Sequence, residues 1–304
     1  MEGYFWRLTD RAGGRVIIAL CGINRAADGT WANVALAGHP GDVLAEAIVP
    51  EASADPDGLG VGAGDALGAG PAGLRVDLGP GARLDVAIHD PVGWPRRAFG
   101  GLGPAHAVPA LSQYWHPHVL GGRVTGTAVL GGETLDLAGW DVYAEKNWGR
   151  GGFPRRWWWG QAQGFARRDV CVAFAGGEVA VAPGVPALTA TALVVRVGAD
   201  VVRLGQPLAT PVRADVVPGA WRLAGRGPRW SVAVRAHAGA ADTARALPVP
   251  LPAARRTVPG AHQHLAGTLE VVVRRRGRVA FAGTSTLAGL ERGDLSTHPE
   301  GRTR

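Results

Sequence analysis

Residues 123–139 read RVTGTAVLGGETLDLAG, two segments of alternating apolar and polar residues on either side of a Gly131-Gly132 pair. A Gly-Gly pair readily adopts the positive φ angles of a tight turn, and alternation with a period of two is typical of a half-buried strand. The stretch therefore predicts a β-hairpin. The same pattern predicts three further hairpins, at 169–182 around Gly176-Gly177, at 192–204 around Gly198 and at 268–283 around Gly277.

Short runs rich in Val, Leu, Thr and Trp continue along all 304 residues, and turns containing Gly, Pro and Asp separate them. This punctuation predicts an all-β protein. A helical period is confined to short stretches, of which 240–247 is the best candidate. Two segments lack the strand pattern: the Gly- and Ala-rich 51–72 predicts a flexible loop, and the Pro-rich 248–260 predicts an extended connector. Because many antiparallel strands must hide their edges, we expect two barrels or sandwiches that meet near residue 150.

The formal net charge of +7 raises the question of a nucleic-acid partner. The positive charge is nearly all arginine and is spread along the sequence through turns and strands, and no basic stripe has interleaved aromatic residues. A chain rich in Ala, Gly and Arg is more simply explained by the base composition of a genome. We therefore predict that nucleic acid is not a partner.

Cellular location is inferred from three features. Cys21 and Cys171 lie inside apolar runs, which predicts buried free thiols and gives no indication of a disulfide framework. The chain opens directly with MEGYFWRLTD, which does not resemble a signal peptide. Its apolar runs are far shorter than the roughly 20 residues that a membrane-spanning helix needs. These features predict a soluble cytoplasmic protein, and a peripheral membrane contact stays open.

The stretch YAEKNWGRGGFPRRWWWGQAQGF (143–165) is the least ordinary part of the chain, because it contains its only lysine and three consecutive tryptophans. With a period of two, one face of 139–148 carries Asp141, Tyr143, Glu145 and Asn147, and the other carries Trp140, Val142, Ala144, Lys146 and Trp148. Four hydrogen-bonding side chains on one face, two of them carboxylates, are typical of a solvated face, although the aromatic segment that follows makes this interpretation less favoured. Alternation does not show which face points inward.

The following stretch, 157–165, places large rings and amides together. One face carries Trp157, Trp159, Gln161, Gln163 and Phe165, and the other carries Trp158, Gly160, Ala162 and Gly164. Rings with a few oriented polar groups are typical of a pocket for a mostly apolar ligand. A tryptophan-rich core is the alternative, although buried amides would then need hydrogen-bond partners.

Other candidate groups give weaker signals. Arg155 follows Pro154 in a turn and is a candidate for the mouth of such a pocket. Histidine pairs occur in QYWHPH (113–118) and HQH (262–264), and two pairs could hold a metal ion. No carboxylate stands at a supporting spacing, so we predict no metal site and keep His116 as a candidate substrate contact.

Residues 143–161 resemble the central motif of the tocopherol cyclase family, which runs E-K-N-W-G, then F-P, then a basic residue and W-x-W-x-Q. The segments EGYFWR (2–7), GRVTGTAVLGGETLDLAG (122–139) and HLAGTLEVVV (264–273) also resemble strands of that family. The resemblance implies two lipocalin-like antiparallel β-barrel domains packed together, which we place at 1–150 and 151–304. It is distantly shared with carotenoid hydratases.

The resemblance also implies an activity, closure of a chromanol ring on a prenylated quinol. An acid protonates a prenyl double bond and the quinol oxygen attacks the resulting cation, so neither a metal nor an organic cofactor is needed. The implied catalytic residues are Glu145, Asp141 and Tyr143, and the implied substrate-binding residues are Asn147, Trp148, Arg155, Trp157, Trp159, Gln161, Gln163 and His116. The expected partner is an apolar prenylated quinol or another isoprenoid. A hydratase that acts on a carotenoid-like polyene and a non-catalytic isoprenoid-binding protein are the alternatives.

Overall fold

The structure is a computed structural model, and it describes residues 1–56, 58–95, 99–109, 111–150, 152–179, 188–206, 208–239 and 244–296. In these ranges the regular secondary structure is β-strand, apart from two short 3-10 helices at Gly103–Ala107 and Pro252–Ala254. The all-β prediction is confirmed. No helix in the described ranges is long and apolar enough to cross a bilayer.

The first sheet has thirteen strands and pairs its neighbours antiparallel. Its strands are β1 (Glu2–Asp10), β2 (Arg15–Ala26), β3 (Gly29–His39), β4 (Val43–Val49), β5 (Ser53–Ala54), β6 (Val61–Ala63), β7 (Leu67–Gly70), β8 (Gly73–Asp77), β9 (Ala82–His89), β10 (Tyr114–Val119), β11 (Arg123–Leu130), β12 (Glu133–Asp136) and β13 (Trp140–Trp148). The order is β4-β3-β2-β1-β13-β11-β9-β8-β7-β6-β5, with β10 beside β13 and β12 beside β11. The strand that carries Glu145 therefore lies at the centre of the sheet.

The second sheet has ten antiparallel strands. They are β14 (Arg156–Ala162), β15 (Val170–Val179), β16 (Leu188–Val197), β17 (Asp200–Leu204), β18 (Val212–Val217), β19 (Ala220–Arg226), β20 (Trp230–His237), β21 (Arg245–Leu251), β22 (Arg256–Arg275) and β23 (Arg278–Asp294). The order is β17-β16-β15-β14-β23-β22-β20-β19-β18, with β21 beside β22. The tryptophan-rich strand β14 is also central.

Each sheet wraps around a core of its own, as in a lipocalin-like barrel. One core draws on ten strands of the first sheet and includes Tyr4, Trp6 and Trp140. The other includes Phe174 and Trp221 from the second sheet. Within the described residues the strand order of each sheet ends at two edges instead of closing through a continuous ladder. The two antiparallel barrel-like domains that the sequence predicts are therefore present.

The central strands are buried on both faces. In β1, Tyr4, Trp6 and Leu8 point into the core, yet Arg7 and Thr9, on the opposite face, are also fully buried. Strands buried on both faces read as nearly continuous apolar runs, and VIIALCGI in β2 is an example. Polar residues on the second face of such strands are therefore withdrawn from water.

Three of the four predicted hairpins are confirmed. Gly131 and Gly132 form the β11–β12 turn with φ of 60° and 87°, which matches the positive angles that a tight turn requires. Gly198 and Gly277 occupy the β16–β17 and β22–β23 turns in the same way. Both cysteines are free and buried, as predicted.

The hairpin predicted around Gly176-Gly177 is wrong, because β15 runs without interruption through both glycines. They are required there for space instead of for a turn. A Cβ on Gly176 would lie 2.2 Å from Nε1 of Trp158, and one on Gly177 would lie 2.7 Å from the carbonyl oxygen of Arg156. Strand β14 thus leaves no room for a side chain at either of these two positions of β15.

Two predictions about irregular segments are corrected. The expected loop 51–72 contains the short strands β5, β6 and β7, whose Val61, Ala63 and Leu67 complete the first core. Residues 245–247 of the candidate helix lie in β21, and 240–243 fall outside the described residues. The Pro-rich 248–260 is extended, as predicted, except for the single 3-10 turn.

The chain forms two compact units. The first unit comprises Met1–Gly93, Pro117–Phe153 and Pro248–Pro259, and the second comprises Trp94–His116, Pro154–Leu247 and Gly260–Arg304. A simple division at residue 150 differs from these units in the segments 94–116 and 248–259.

Candidate functional site

A buried tyrosine–glutamate pair lies on β13 in the first unit. Val142 and Ala144 point into the core, so the alternating residues Asp141, Tyr143 and Glu145 share the opposite face, as the sequence predicts. Tyr143 is fully buried and its hydroxyl donates to Oε2 of Glu145 at 2.5 Å. Only 7 % of Glu145 is exposed. The pair is thus a carboxyl group held in one orientation and shielded from water.

Arg7 brings a buried positive charge to the same face. It is fully buried on β1, directly opposite Tyr143 in the antiparallel register. Directly opposite residues in antiparallel strands share a face, and diagonal neighbours lie within reach of long side chains. Arg7 therefore lies diagonally between Asp141 and Glu145 in the register, which places a buried arginine on the face that carries both carboxyl groups.

Asp141 has a cation of its own. The Nε atom of Arg11 lies 3.9 Å from Oδ2 of Asp141, and the carboxylate is largely buried. This ion pair suits Asp141 to a charged, structural role and leaves Glu145, hydrogen-bonded to a neutral hydroxyl, as the better candidate for an acid. Asn147 continues the face, over Gly3 of β1, where a Cβ would lie 2.0 Å from Oδ1 of Asn147.

Lys146, the only lysine of the chain, anchors the end of β13 to the start of β1. Its Nζ lies 2.8 Å from Oε2 of Glu2, and it stands over the rings of Tyr4 at 4.8 Å and Trp148 at 5.8 Å. Burial alone would raise the pKa of Glu2. The hydrogen bond and charge of Lys146, with the Tyr4 hydroxyl, outweigh burial and lower it. Lys146 and Trp148 therefore form a partly buried structural contact.

Replacing Lys146 with Met is expected to lower the free energy of unfolding at neutral pH by about 1 kcal/mol, because an ion pair and cation–π contacts are lost. The pKa of Glu2 is lower in the folded state than its ordinary value of 4.5. The charge of Glu2 therefore stabilises the fold fully above pH 4.5, and this stabilisation is lost as the pH falls through the lower pKa of the folded state. Urea unfolding between neutral and acidic pH should show the difference shrinking in acid. Arg25→Met, which removes a mostly exposed cation 3.9 Å from Glu2, is the control with a smaller effect. A pH-independent difference would contradict the ion pair.

The second unit presents the aromatic and amide face on β14. Trp157, Trp159 and Gln161 share one face, and Trp158 and Ala162 point to the core, as the alternation predicts. All three residues of the first group are buried. Phe165 was predicted on the same face and instead lies in the core. The strand ends at Ala162, and Gly164 at φ of 84° then turns the chain and reverses the alternation.

A third carboxylate, Glu291, lies on this face and was not among the sequence candidates. It is directly opposite Trp159 and accepts hydrogen bonds from Nε1 of Trp157 at 2.6 Å and from Nε2 of Gln263 at 3.0 Å. Hydrogen bonds donated to a carboxylate favour its charged form. Glu291 is therefore suited to accept a further hydrogen bond from a hydroxyl group.

Two amide oxygens on this face receive no hydrogen bond from the described residues. Gln161 is fully buried, and its Nε2 makes one weak contact, 3.6 Å to Sγ of Cys171. In the described part of the chain, Oε1 of Gln161 and Oε1 of Gln263 accept no hydrogen bond. Gln163 is buried, and its backbone carbonyl accepts a hydrogen bond from Ser285. Buried acceptors without donors are costly unless a ligand supplies the donor.

The remaining candidates, Arg155 and His116, make contacts of a different kind. Arg155 is exposed, and its carbonyl accepts a hydrogen bond from the amide of Leu295 at 2.9 Å. His116 packs its ring edge-on against Trp94, with centroids 5.3 Å apart, and burial, with the charge of His106, lowers its pKa to about 4. It is therefore neutral at pH 7. The described residues contain no group of three potential ligands that could hold a metal ion.

Sequence reasoning missed Arg7, Glu291 and Gln263. Arg7 follows the aromatic run YFW, and a charge beside such a run is a local signal that could have marked it. Gln263 lies between two histidines and Glu291 precedes an arginine, so the residues around them give no such signal. Their partners are remote: Glu291 is 134 residues from Trp157 and 28 from Gln263. Such pairings depend on which strands are neighbours in the sheet, and the alternation within one strand gives no information about its neighbours.

The fold defines a class of all-β protein with two lipocalin-like domains, one with a buried carboxyl–tyrosine pair and the other with a buried aromatic–amide face. The chain belongs to the tocopherol cyclase-like family, whose model matches residues 82–294, more than two thirds of its length. That range contains Glu145, β14 and Glu291. The family resemblance that the sequence indicates is confirmed.

Curated relatives match over a shorter stretch. A chloroplastic tocopherol cyclase from Zea mays is 33 % identical over 101 residues, which is 32 % of this chain and 21 % of the maize protein. A probable chloroplastic tocopherol cyclase from Oryza sativa subsp. japonica matches with the same identity and the same coverage. The match thus spans about a fifth of the length of these relatives.

Solved structures share the fold. Kievitone hydratase from Nectria haematococca superposes with a TM-score of 0.57 at 12 % identity, covering 96 % of this chain and 88 % of that protein. A putative AttH from Nitrosomonas europaea gives a TM-score of 0.51 at 13 % identity, covering 96 % and 92 %. At these identities the likeness establishes the architecture alone.

Proposed function

We propose that the protein is an enzyme that closes a ring on a prenylated quinol, and that Glu145 is its acid. The observation that carries the proposal is the buried hydrogen bond from Tyr143 to Glu145, within the segment that resembles the family motif. Family membership and the names of the maize and rice relatives support a cyclase. The kievitone hydratase likeness supports the fold on which it is built.

The reaction balances without a co-reactant. The carboxyl of Glu145 gives its proton to the less substituted carbon of a prenyl double bond, and a tertiary cation forms at the other carbon. The quinol oxygen attacks that carbon and its proton returns to the carboxylate, so the acid is regenerated and the product is an isomer of the substrate.

Tyr143 positions the acid in this scheme. Because its hydroxyl donates to Oε2 of Glu145, the proton to be transferred can reside on Oε1. Removal from water disfavours the charged form of a carboxyl, which suits a group that must hold a proton before it transfers it.

The face of β14 independently supports binding of a quinol. Its indole rings offer apolar surface. Its unpaired acceptors on Gln161 and Gln263, together with the Glu291 carboxylate, match the hydroxyl donors of a quinol ring. We assign these residues of the second unit to quinol binding.

The test is incubation of the purified protein with a prenylated benzoquinol, followed by chromatography and mass spectrometry. Ring closure yields a product of unchanged mass that elutes earlier, and this is the expected result. A product heavier by one water would identify a hydratase that uses the same cation. Saturable binding without any product would identify a carrier and refute the enzyme.

Gln161→Leu is expected to separate stability from binding. Because Oε1 of Gln161 accepts no hydrogen bond in the described residues, its loss should leave the free protein equally stable or up to about 1 kcal/mol more stable. Quinol affinity should fall about tenfold, since the hydroxyl loses its acceptor. Urea unfolding and a tryptophan-fluorescence titration measure the two quantities. Gln206→Leu, in the β17–β18 connection, is the control, and unchanged affinity in Gln161→Leu would remove this residue from the binding set.

A further inference from the structure

Positive charge collects at four connections of the second unit: 163–169, 196–200, 226–230 and 274–278. Together they hold nine arginines and two aspartates, an excess of seven positive charges. The whole chain has a formal net charge of +7, so the rest of the chain is balanced. Nine of the arginines that are spread along the sequence therefore fall in four connections of one unit.

Contacts within the unit join the four connections into one surface, here called the basic end. The amide of Gly198 donates to the carbonyl of Asp169 at 2.9 Å. Arg275 lies 3.8 Å from Asp200, and the amide of Arg276 donates to the carbonyl of Arg229 at 2.8 Å. The connections are thus neighbours, and their charges act together.

The basic end is open to solvent and carries apolar side chains at its border. Eight of its nine arginines are exposed, the exception being the half-buried Arg196. Val279, just after the arginine-rich turn, is 53 % exposed, and Leu208 is fully exposed. Leu208 belongs to the loop whose Pro211 carbonyl accepts a hydrogen bond from the amide of Arg226. Cationic groups with projecting aliphatic side chains form an amphipathic tip.

We propose that the basic end docks on a membrane surface that contains anionic lipids. Arginines bind phosphate groups through paired N–H donors, and clustered basic residues are attracted to anionic bilayers. The aliphatic side chains at the border can enter the interfacial region. The inference rests on the proposed function in one respect: a prenylated quinol dissolves in a bilayer, so an enzyme that uses it gains from attachment there.

The composition of the surface favours lipid over nucleic acid. Exposed aliphatic side chains contribute nothing to contacts with phosphodiester backbones. Single-stranded nucleic acids are bound by exposed rings between basic groups. Trp230, at this end, is instead only half-exposed and has the Arg275 guanidinium over its ring at 5.3 Å.

Vesicle flotation tests the proposal with the full chain. Vesicles of phosphatidylcholine with one third phosphatidylglycerol should bind the protein, and binding should weaken as salt rises. Vesicles of phosphatidylcholine alone should bind far less. The variant Arg274→Gln/Arg276→Gln/Arg278→Gln should lose roughly 100-fold in partitioning, because each basic residue near the surface contributes about fivefold. It spares Arg275, which contacts Asp200 and Trp230.

The matched control is Arg75→Gln/Arg213→Gln/Arg235→Gln, which removes the same charge from exposed positions outside the basic end. It should retain most of the binding. Equal losses in both triple variants, or no binding of the unaltered chain to anionic vesicles, would overturn the proposal. An oligonucleotide that displaces the protein from vesicles and binds it more tightly would replace lipid by nucleic acid and would also overturn it.

Turnover in detergent micelles separates this proposal from the proposed function. The arginine variant should cyclise detergent-dispersed quinol at the unaltered rate, because its substitutions touch neither Glu145 nor β14. Docking without turnover would refute the enzyme and leave the membrane surface standing. Turnover without docking would refute the membrane surface and support the enzyme.

Discussion

Glu145→Gln is expected to lower the rate of ring closure by at least about a hundredfold, the usual contribution of a positioned general acid. Glutamine keeps the size of the side chain and an oxygen that can still accept the Tyr143 hydrogen bond, so the fold should persist. What disappears is the transferable proton. The rate of product formation from a prenylated quinol at saturating concentration measures the effect.

Two companion variants define what the result means. Glu46→Gln makes the same change at an exposed position of β4 and should leave the rate unaltered. Tyr143→Phe keeps the acid but removes the group that orients it, so a loss of about tenfold is expected. Full activity of Glu145→Gln would remove this residue as the acid, and Asp141→Asn and Glu291→Gln would then be compared in the same assay.

Arg7→Leu is expected to cost about 3–5 kcal/mol in the free energy of unfolding, because removing one partner of a buried charge group leaves the other charges uncompensated. Arg7 is fully buried, and the β1–β13 register places it diagonally between Asp141 and Glu145. Urea unfolding followed by circular dichroism gives the value. Arg25→Leu, at a mostly exposed arginine, should cost less than about 1 kcal/mol.

A double-mutant cycle makes this prediction specific to charge. In an Asp141→Asn background one buried negative charge is already absent, so Arg7→Leu should cost clearly less than in the unaltered protein. Equal costs in both backgrounds would mean that Arg7 acts through packing alone. A stable Arg7→Leu protein would show that the face of β13 does not depend on this arginine.

The alternation of side chains along the strands predicts which residues of the candidate site share a face better than it predicts what those residues contact. A period of two correctly groups Asp141, Tyr143 and Glu145 on one face of β13, since side-chain alternation is a property of any strand. The same rule fails at Phe165, because the strand ends at Ala162 and a glycine turns the chain. Glycine pairs likewise mark a turn at 131–132 but a tight packing site at 176–177, and only the neighbouring tryptophans distinguish the two cases.

The sequence by itself determined the all-β class, most hairpins, the two-barrel organisation, the family and the shared faces of the central residues, because all of these follow from local alternation, turn chemistry or a motif. Only the tertiary structure decided that both faces of the central strands are buried, that Arg7 lies opposite Tyr143, that Glu291 meets Trp157 and Gln263, and that seven excess charges gather at one end of a unit. The physical reason is that burial and charge pairing depend on which distant strands and turns become neighbours. That order is set by the packing of the whole sheet, and no short stretch of residues contains it.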